Sequence, residues 1–225
     1  MNAEPMNAAP INAAPIDTAP IDTAAVLHAF ADAAADAHNR LTELDRRSGD
    51  GDFGDNLRGG LRHAVAALPD RDGDDALTVL GEVFLDEVGG TSGPLFGLLF
   101  TEIAHAVAAD RDGGWAAGAA AGLAAIQRVG EAQVGDRTLV DALAPAVAAL
   151  QADPADLVGA ARAATEGALA TADLRARMGR ASYVGDRAKG APDPGAVGIA
   201  LFFRSVARVA APDADLPSPV TAAVS

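Results

Sequence analysis

The string Asp45-Arg-Arg-Ser-Gly-Asp50-Gly-Asp52-Phe-Gly-Asp55-Asn56 gathers carboxylates and glycines where a helical pattern ends. Asp45 falls in the last helical turn, on the end where the backbone dipole disfavours a negative charge. Asp50 and Asp52 flank a glycine, so a tight turn can aim both back toward Asp45. Three carboxylates so placed repel one another unless a cation sits among them. Hard oxygen ligands with nothing soft nearby suit Mg²⁺ or Ca²⁺. Taken alone, the loop is read equally well as a solvated acidic turn neutralised by Arg46 and Arg47. An EF-hand is excluded, because Gly54, Asp55 and Leu61 occupy the positions of its third ligand, its turn glycine and its bidentate glutamate.

Three further clusters carry unusual residues. Gly89-Gly90-Thr91-Ser92-Gly93-Pro94 joins two apolar helices, and a glycine-rich backbone followed by a helix start offers N–H groups to an anion or to nothing more than a turn. Ser92 as a hydrolase nucleophile lacks the G-x-S-x-G elbow and its preceding strand. A Walker-type P-loop is excluded, since Lys189 is the lone lysine and no G-x-x-x-x-G-K-[ST] string exists. Gly130 to Asp141 reads as a turn in which Asp136 can cap a helix starting at Arg137. Gly179 to Ala196 is long for a helix connection and holds Arg180, the lone tyrosine Tyr183, Arg187 and Lys189, as expected of a lid or of a surface crossover.

These clusters need elements to position them, and the chain between its tails is punctuated into helices. Leu27, Phe30, Ala34, Ala37, Leu41 and Leu44 recur at spacings of three and four over Thr23 to Arg47. Further helices are expected over Asn56 to Leu68, Asp74 to Val88, Leu95 to Ala109, Trp115 to Val129, Thr138 to Gln151, Pro154 to Met178 and Ala196 to Ala210. Pro145 falls inside one of them and should kink it. No segment shows a period of two, so the fold class is all-α, with antiparallel neighbours because most connections are short.

Composition agrees with this. Half the residues are hydrophobic but only 4% are aromatic, so the core must be built from small aliphatic side chains. Alanine, the best helix former and a poor strand former, dominates them. A net charge of -14 without a basic patch argues against nucleic acid. The absence of cysteine removes disulfides, thiolate metal sites and cysteine nucleophiles. Met1 to Ala25 reads as five imperfect pentads, the first four closed by proline, which forbids a long helix; residues 1–23 and 211–225 are expected to be disordered tails around a 24–210 domain. With no signal peptide and no uninterrupted span of about 20 apolar residues, a cytoplasmic protein free of the membrane is expected. His28, His38, His63 and His105 lie within helical patterns and are read as structural or surface residues.

Taken together and in order, Asp45 with GDGD and Asn56, GGTSGPLFG, GDRTLVDALAP and GRASYVGDRAKGAPDPGA resemble the nucleotide-binding L subunit of dihydroxyacetone kinase over about residues 24 to 210. The resemblance implies a closed barrel of eight antiparallel helices with the nucleotide held by interhelix loops at one end. It implies that Asp45, Asp50 and Asp52 hold a pair of Mg²⁺ ions on the phosphates of ATP or of a resident ADP. Phe53, Gly54, Asp55, Asn56, Thr91 and Ser92 match nucleotide-contacting loop positions. Gly130 and Leu139 match the adenosine pocket, Arg180 an arginine near the nucleotide, and Asp193, Pro194 and Gly195 the closing segment. Phe53 departs from a histidine frequent in relatives and can still pack on the nucleotide; Asp55 is an added carboxylate that can cap the next helix.

No catalytic side chain beyond these metal and phosphate contacts is implied. The ketose, dihydroxyacetone by default, would sit on a separate K subunit whose histidine tethers it, and a phosphotransferase-system M subunit is a further partner where ADP is resident. Erythrulose as acceptor, a fatty-acid-kinase barrel, and a non-catalytic nucleotide-dependent regulator of a transcription factor are the alternatives.

Overall fold

The computed structural model describes residues 20–70, 75–110 and 113–220. Eight long helices, among the described residues, form its frame: α1 (Thr23–Ser48), α2 (Phe53–Ala67), α3 (Ala76–Asp86), α4 (Ser92–Ala109), α5 (Gly114–Gly130), α6 (Val140–Ala152), α7 (Leu157–Ala170) and, after a single turn α8 (Ala181–Val184), the last helix α9 (Pro194–Ala210). No strand occurs among the described residues. Each long helix packs on the next, α7 packs on α9, and α9 returns to α1, so the helix contacts run round a closed circuit. Short connections between packed neighbours reverse the chain, which puts the C-terminus of α1 and the N-terminus of α2 at one end.

The few aromatics are concentrated at the centre. Phe30, Phe84, Phe100 and Phe202 meet edge to face or tilted, with ring centroids 5.1–6.1 Å apart. Phe96, Phe53, Phe203 and Trp115 extend the same network. Small residues let the surrounding helices close on this centre. On α5, a Cβ added at Gly118 would lie 2.5 Å from the Ile103 Cα of α4, and one at Gly122 would lie 3.1 Å from the Leu99 Cα. α4 is long and apolar enough by composition to cross a membrane, yet Phe96, Leu99, Phe100 and Ile103 are buried in the barrel wall between α3 and α5.

Several boundaries differ from those expected. α2, α4 and α9 begin earlier, at Phe53, Ser92 and Pro194, so motif residues expected in loops occupy first helical turns. α7 stops at Ala170 rather than Met178. Its end tightens into a single 3₁₀ turn, Thr171–Asp173, where the Thr171 hydroxyl donates to the Ala168 carbonyl, and Leu174 turns extended. α6 continues through Pro145, whose missing N–H leaves the Asp141 carbonyl free of its helical partner. The expected N-terminal tail, residues 1–23, lies almost wholly outside the described residues; Asp22 already caps α1 through the N–H groups of Ala24 and Ala25. In the expected C-terminal tail, 211–225, Leu216 is buried and Arg162 of α7 donates to the Asp215 carbonyl.

Candidate functional site

At the end of the barrel where α1 gives way to α2, Asp45 lies in the last turn of α1, as its position in the sequence requires. Its Oδ2 accepts hydrogen bonds from the N–H groups of Gly51 (2.9 Å) and Phe53 (3.1 Å), which curls the loop around the carboxylate. Two glycines make the curl possible. A side chain at Gly49 would meet Asp45 Oδ1 at 2.5 Å, and Gly51 adopts a left-handed φ of 85°. Asp45, Asp50 and Asp52 thereby each offer an oxygen within 4.8 Å of the others. That set fits a hard divalent cation. Of the neighbouring arginines, Arg47 pairs with Glu43, while Asp50 pairs with Arg180 from the distant crossover.

The triad opens into a cavity of about 220 Å³. All the residues expected from sequence line it except Gly54 and Asp55. Gly54 faces the other way, where a Cβ would meet the Thr42 hydroxyl at 2.4 Å and the His38 carbonyl at 2.8 Å, so its small size lets α2 lie on α1. Asp55 is not the cap of α2 but sits inside its first turn and pairs with His38 (2.8 Å) and Arg58 (3.0 Å). The His38 hydrogen bond holds the Asp55 carboxyl below the usual carboxylate range. Phe53 is buried between the cavity and Phe96.

The N-terminal ends of α2, α4, α6 and α9 all border the cavity, contributing Phe53, Ser92, Val140 and Pro194. Their capping is uneven. At the opposite end of the barrel, aspartates 22, 75 and 156 cap α1, α3 and α7 by accepting backbone N–H groups. Asp52 and Thr91, which precede α2 and α4, make no such bond. Apart from the Phe53 N–H, which Asp45 accepts, first-turn N–H groups of these two helices face the acidic triad without a capping side chain, which is how an anion-binding helix end is built.

The connection from α5 to α6 differs from its expected form. Asp136 does not cap a helix at Arg137; it accepts from the Gln133 N–H (2.8 Å), and α6 begins at Val140. Asp141, inside α6, accepts from the loop N–H groups of Gly135 (2.6 Å) and Thr138 (2.8 Å), and the Thr138 hydroxyl accepts from the first helical N–H, that of Val140 (3.2 Å). Arg137 is the residue that sequence reading missed. Its backbone is left-handed at φ 62°, and its side chain is fully buried in the cavity floor. Across from it, Asp193 caps α9 through the Ala196 N–H (2.9 Å), and burial pushes its carboxyl up to about 6. The apolar part of the wall comprises Phe53, Leu95, Ile126, Ala132, Leu139 and Met178.

An all-helical ring with a carboxylate triad and helix N-termini at one mouth is an arrangement that suits an anion carried with a divalent cation. The DAK2 domain model matches residues 47–208, and the chain belongs to that family. It is 40% identical over 197 residues to an L-erythrulose 1-kinase of Mycolicibacterium smegmatis, covering 81% of this chain and 34% of the relative. It is 34% identical over 187 residues to the ADP-binding subunit of a PEP-dependent dihydroxyacetone kinase of Listeria innocua, covering 80% of this chain and 91% of the relative. Against the crystal structure of the dihydroxyacetone kinase from C. freundii in complex with AMP-PNP and Mg²⁺, the fold aligns over 92% of this chain and 38% of that one, with a TM-score of 0.66 and 25% identity. The chain thus spans about a third of the length of the L-erythrulose 1-kinase and of the C. freundii kinase, and nearly all of the ADP-binding subunit.

Proposed function

We propose that the chain is the nucleotide-binding, phosphoryl-donating subunit of a dihydroxyacetone-type kinase, serving a short ketose held on a separate K subunit. The observation that carries this reading is the placement of Asp45, Asp50 and Asp52 in one cavity with the uncapped ends of α2 and α4. The three aspartates would hold Mg²⁺, two ions by the family resemblance, on the phosphates of ATP or ADP. Bound there, magnesium neutralises phosphate oxygens and the charge that develops in transfer. The chain's own groups do the rest. N–H groups of the first turns of α2 and α4, with the Thr91 and Ser92 hydroxyls, hold phosphate oxygens and fix the transferred group in line with its acceptor. Leu95, Ile126, Leu139 and Met178 form an apolar slot for the base, with Gly130 at its edge. Arg180 and the segment that carries it cover the phosphate region and exclude water.

The acceptor hydroxyl must come from outside. Among the described residues, the exposed large apolar side chains are Leu85, Val129, Val134 and Tyr183, and each belongs to a last turn or connection at the nucleotide end. An apolar rim around an open site suits docking of the K subunit there. Erythrulose is the second reading for the acceptor, on the similarity to L-erythrulose 1-kinase and to a D-erythrulose kinase at 38% identity. A cytoplasmic location accords with either. Where the nucleotide is a resident ADP, a phosphotransferase-system M subunit would recharge it.

Mixing the chain with a K subunit, ATP, Mg²⁺ and dihydroxyacetone or erythrulose is expected to yield the ketose phosphate, and Asp50→Ala to abolish it. Turnover unchanged in that variant would overturn the assignment. A single turnover followed by retained ADP would mark the phosphotransferase-dependent branch.

A further inference from the structure

Arg137 combines two features that cost stability. A non-glycine residue in the left-handed region is strained by its own Cβ. Its Nε and Nη1 are buried without hydrogen-bond partners, so their desolvation is not offset. Burial also lowers the guanidinium pKa, and the Asp193 carboxylate 3.9 Å away only partly offsets that. What the arrangement achieves is a long-range attachment: Nη2 donates to the carbonyls of Ala188 (2.9 Å) and Ala191 (3.0 Å).

Those carbonyls stand at the far end of the crossover that carries Met178, Gly179, Arg180 and Ala181 into the cavity wall. Among the described residues, the other hydrogen bonds of segment 178–191 are short-range, such as Ser182 N–H to Gly179 and Lys189 N–H to Asp186. The exceptions are the Gly190 N–H to the Ala172 carbonyl and the exposed Arg180–Asp50 ion pair. The Arg137 side chain thus holds the far end of the crossover to the α5–α6 connection, as Arg177 holds its near end through its N–H on the Asp136 carbonyl and its guanidinium on the Asp136 carboxylate; that connection itself supplies Gly130, Ala132, Thr138 and Leu139 to the same cavity.

We propose that Arg137 is a positioning residue: it latches the 178–191 crossover over the nucleotide site and so sets how long the nucleotide is retained. The retention half rests on the nucleotide reading above; the latch does not. The test compares the unaltered chain with Arg137→Lys, which keeps the charge but not the two-carbonyl reach, and with Arg137→Gln.

Amide hydrogen exchange without nucleotide is expected to speed at least tenfold in residues 178–191, while α1, α4 and α9 keep their protection. Stopped-flow release of Mg·ADP is expected to speed by a similar factor, more in Gln than in Lys. Exchange that is unchanged in 178–191, or that rises equally through every helix, would overturn the latch. Local exchange that rises while ADP release stays constant would overturn its role in retention. Failure of the unaltered chain to bind Mg·ADP would overturn the nucleotide reading and retention together, and is recognised separately because exchange is measured without nucleotide.

Discussion

Asp193 shows how a single residue can couple capping, burial and charge at the cavity. It caps α9, receives the Thr171 hydroxyl as acceptor for its own N–H (2.7 Å), and is only 13% exposed at the side chain. Burial raises its pKa from 3.8 to about 6; the Ala196 N–H and Arg137 reduce that rise, and Asp141 and Asp45 add to it. Between about pH 4 and 6 the folded state keeps a proton that the unfolded chain has released. This contribution to stability is complete below the unfolded value and is lost as pH rises through 6. Asp193→Asn keeps a capping oxygen and does not titrate. In EDTA, urea unfolding is expected to show the variant gaining about 2 kcal/mol on the natural chain between pH 4 and pH 7. A constant difference would contradict the buried-carboxyl assignment.

The convergence of Asp45, Asp50 and Asp52 was legible because a carboxylate at a helix C-terminus calls for a partner and Gly51 announced the turn. Arg137 was not, because its partners are backbone carbonyls 51 and 54 residues away, which no local pattern encodes.

At the scale of elements, glycine has opposite consequences according to what it faces. Gly59, inside α2, has nothing near the position of an added Cβ, whereas Gly118 of α5 lies against the α4 backbone. Gly59→Ala is expected to stabilise by about 0.5–1 kcal/mol through helix propensity and a less flexible unfolded chain. Gly118→Ala gains the same propensity but must separate two helices, and is expected to destabilise by roughly 1–3 kcal/mol. Urea midpoints decide both, and equal signs would contradict the close α4–α5 packing. Helix number and order were readable from apolar periodicity and glycine punctuation. The starts of α2, α4 and α9 were read late because their first turns consist of motif residues without apolar periodicity, such as Phe53 to Asn56. The end of α7 was read late because alanine and leucine continue past Ala170, and the break is held by tertiary bonds, from the Asp193 N–H to the Thr171 hydroxyl and from the Gly190 N–H to the Ala172 carbonyl.

For the whole molecule, the closed ring separates a sealed aromatic centre from an open mouth. The exposed apolar residues at that mouth make a prediction about assembly. Tyr183 is 90% exposed and outside the cavity lining. Tyr183→Asp is expected to weaken association with the K subunit at least tenfold by sedimentation or light scattering while Mg·ADP affinity stays within about twofold. Unchanged association would remove the crossover from the docking face. Ring closure was implied by resemblance rather than by periodicity, since the α9–α1 contact joins the two ends of the described chain and leaves no local mark.

The net charge of -14 sets the central question, because a chain so acidic should repel a nucleotide unless a cation intervenes. Calorimetric titration of ADP into the chain, with Mg²⁺ and then with EDTA, tests this most directly, repeated with Asp45→Asn and Asp52→Asn. Saturable 1:1 binding is expected with Mg²⁺, and loss of roughly 100-fold or more in affinity in EDTA and in either variant. ADP binding of equal strength without a divalent cation, or unaffected by both substitutions, would contradict it.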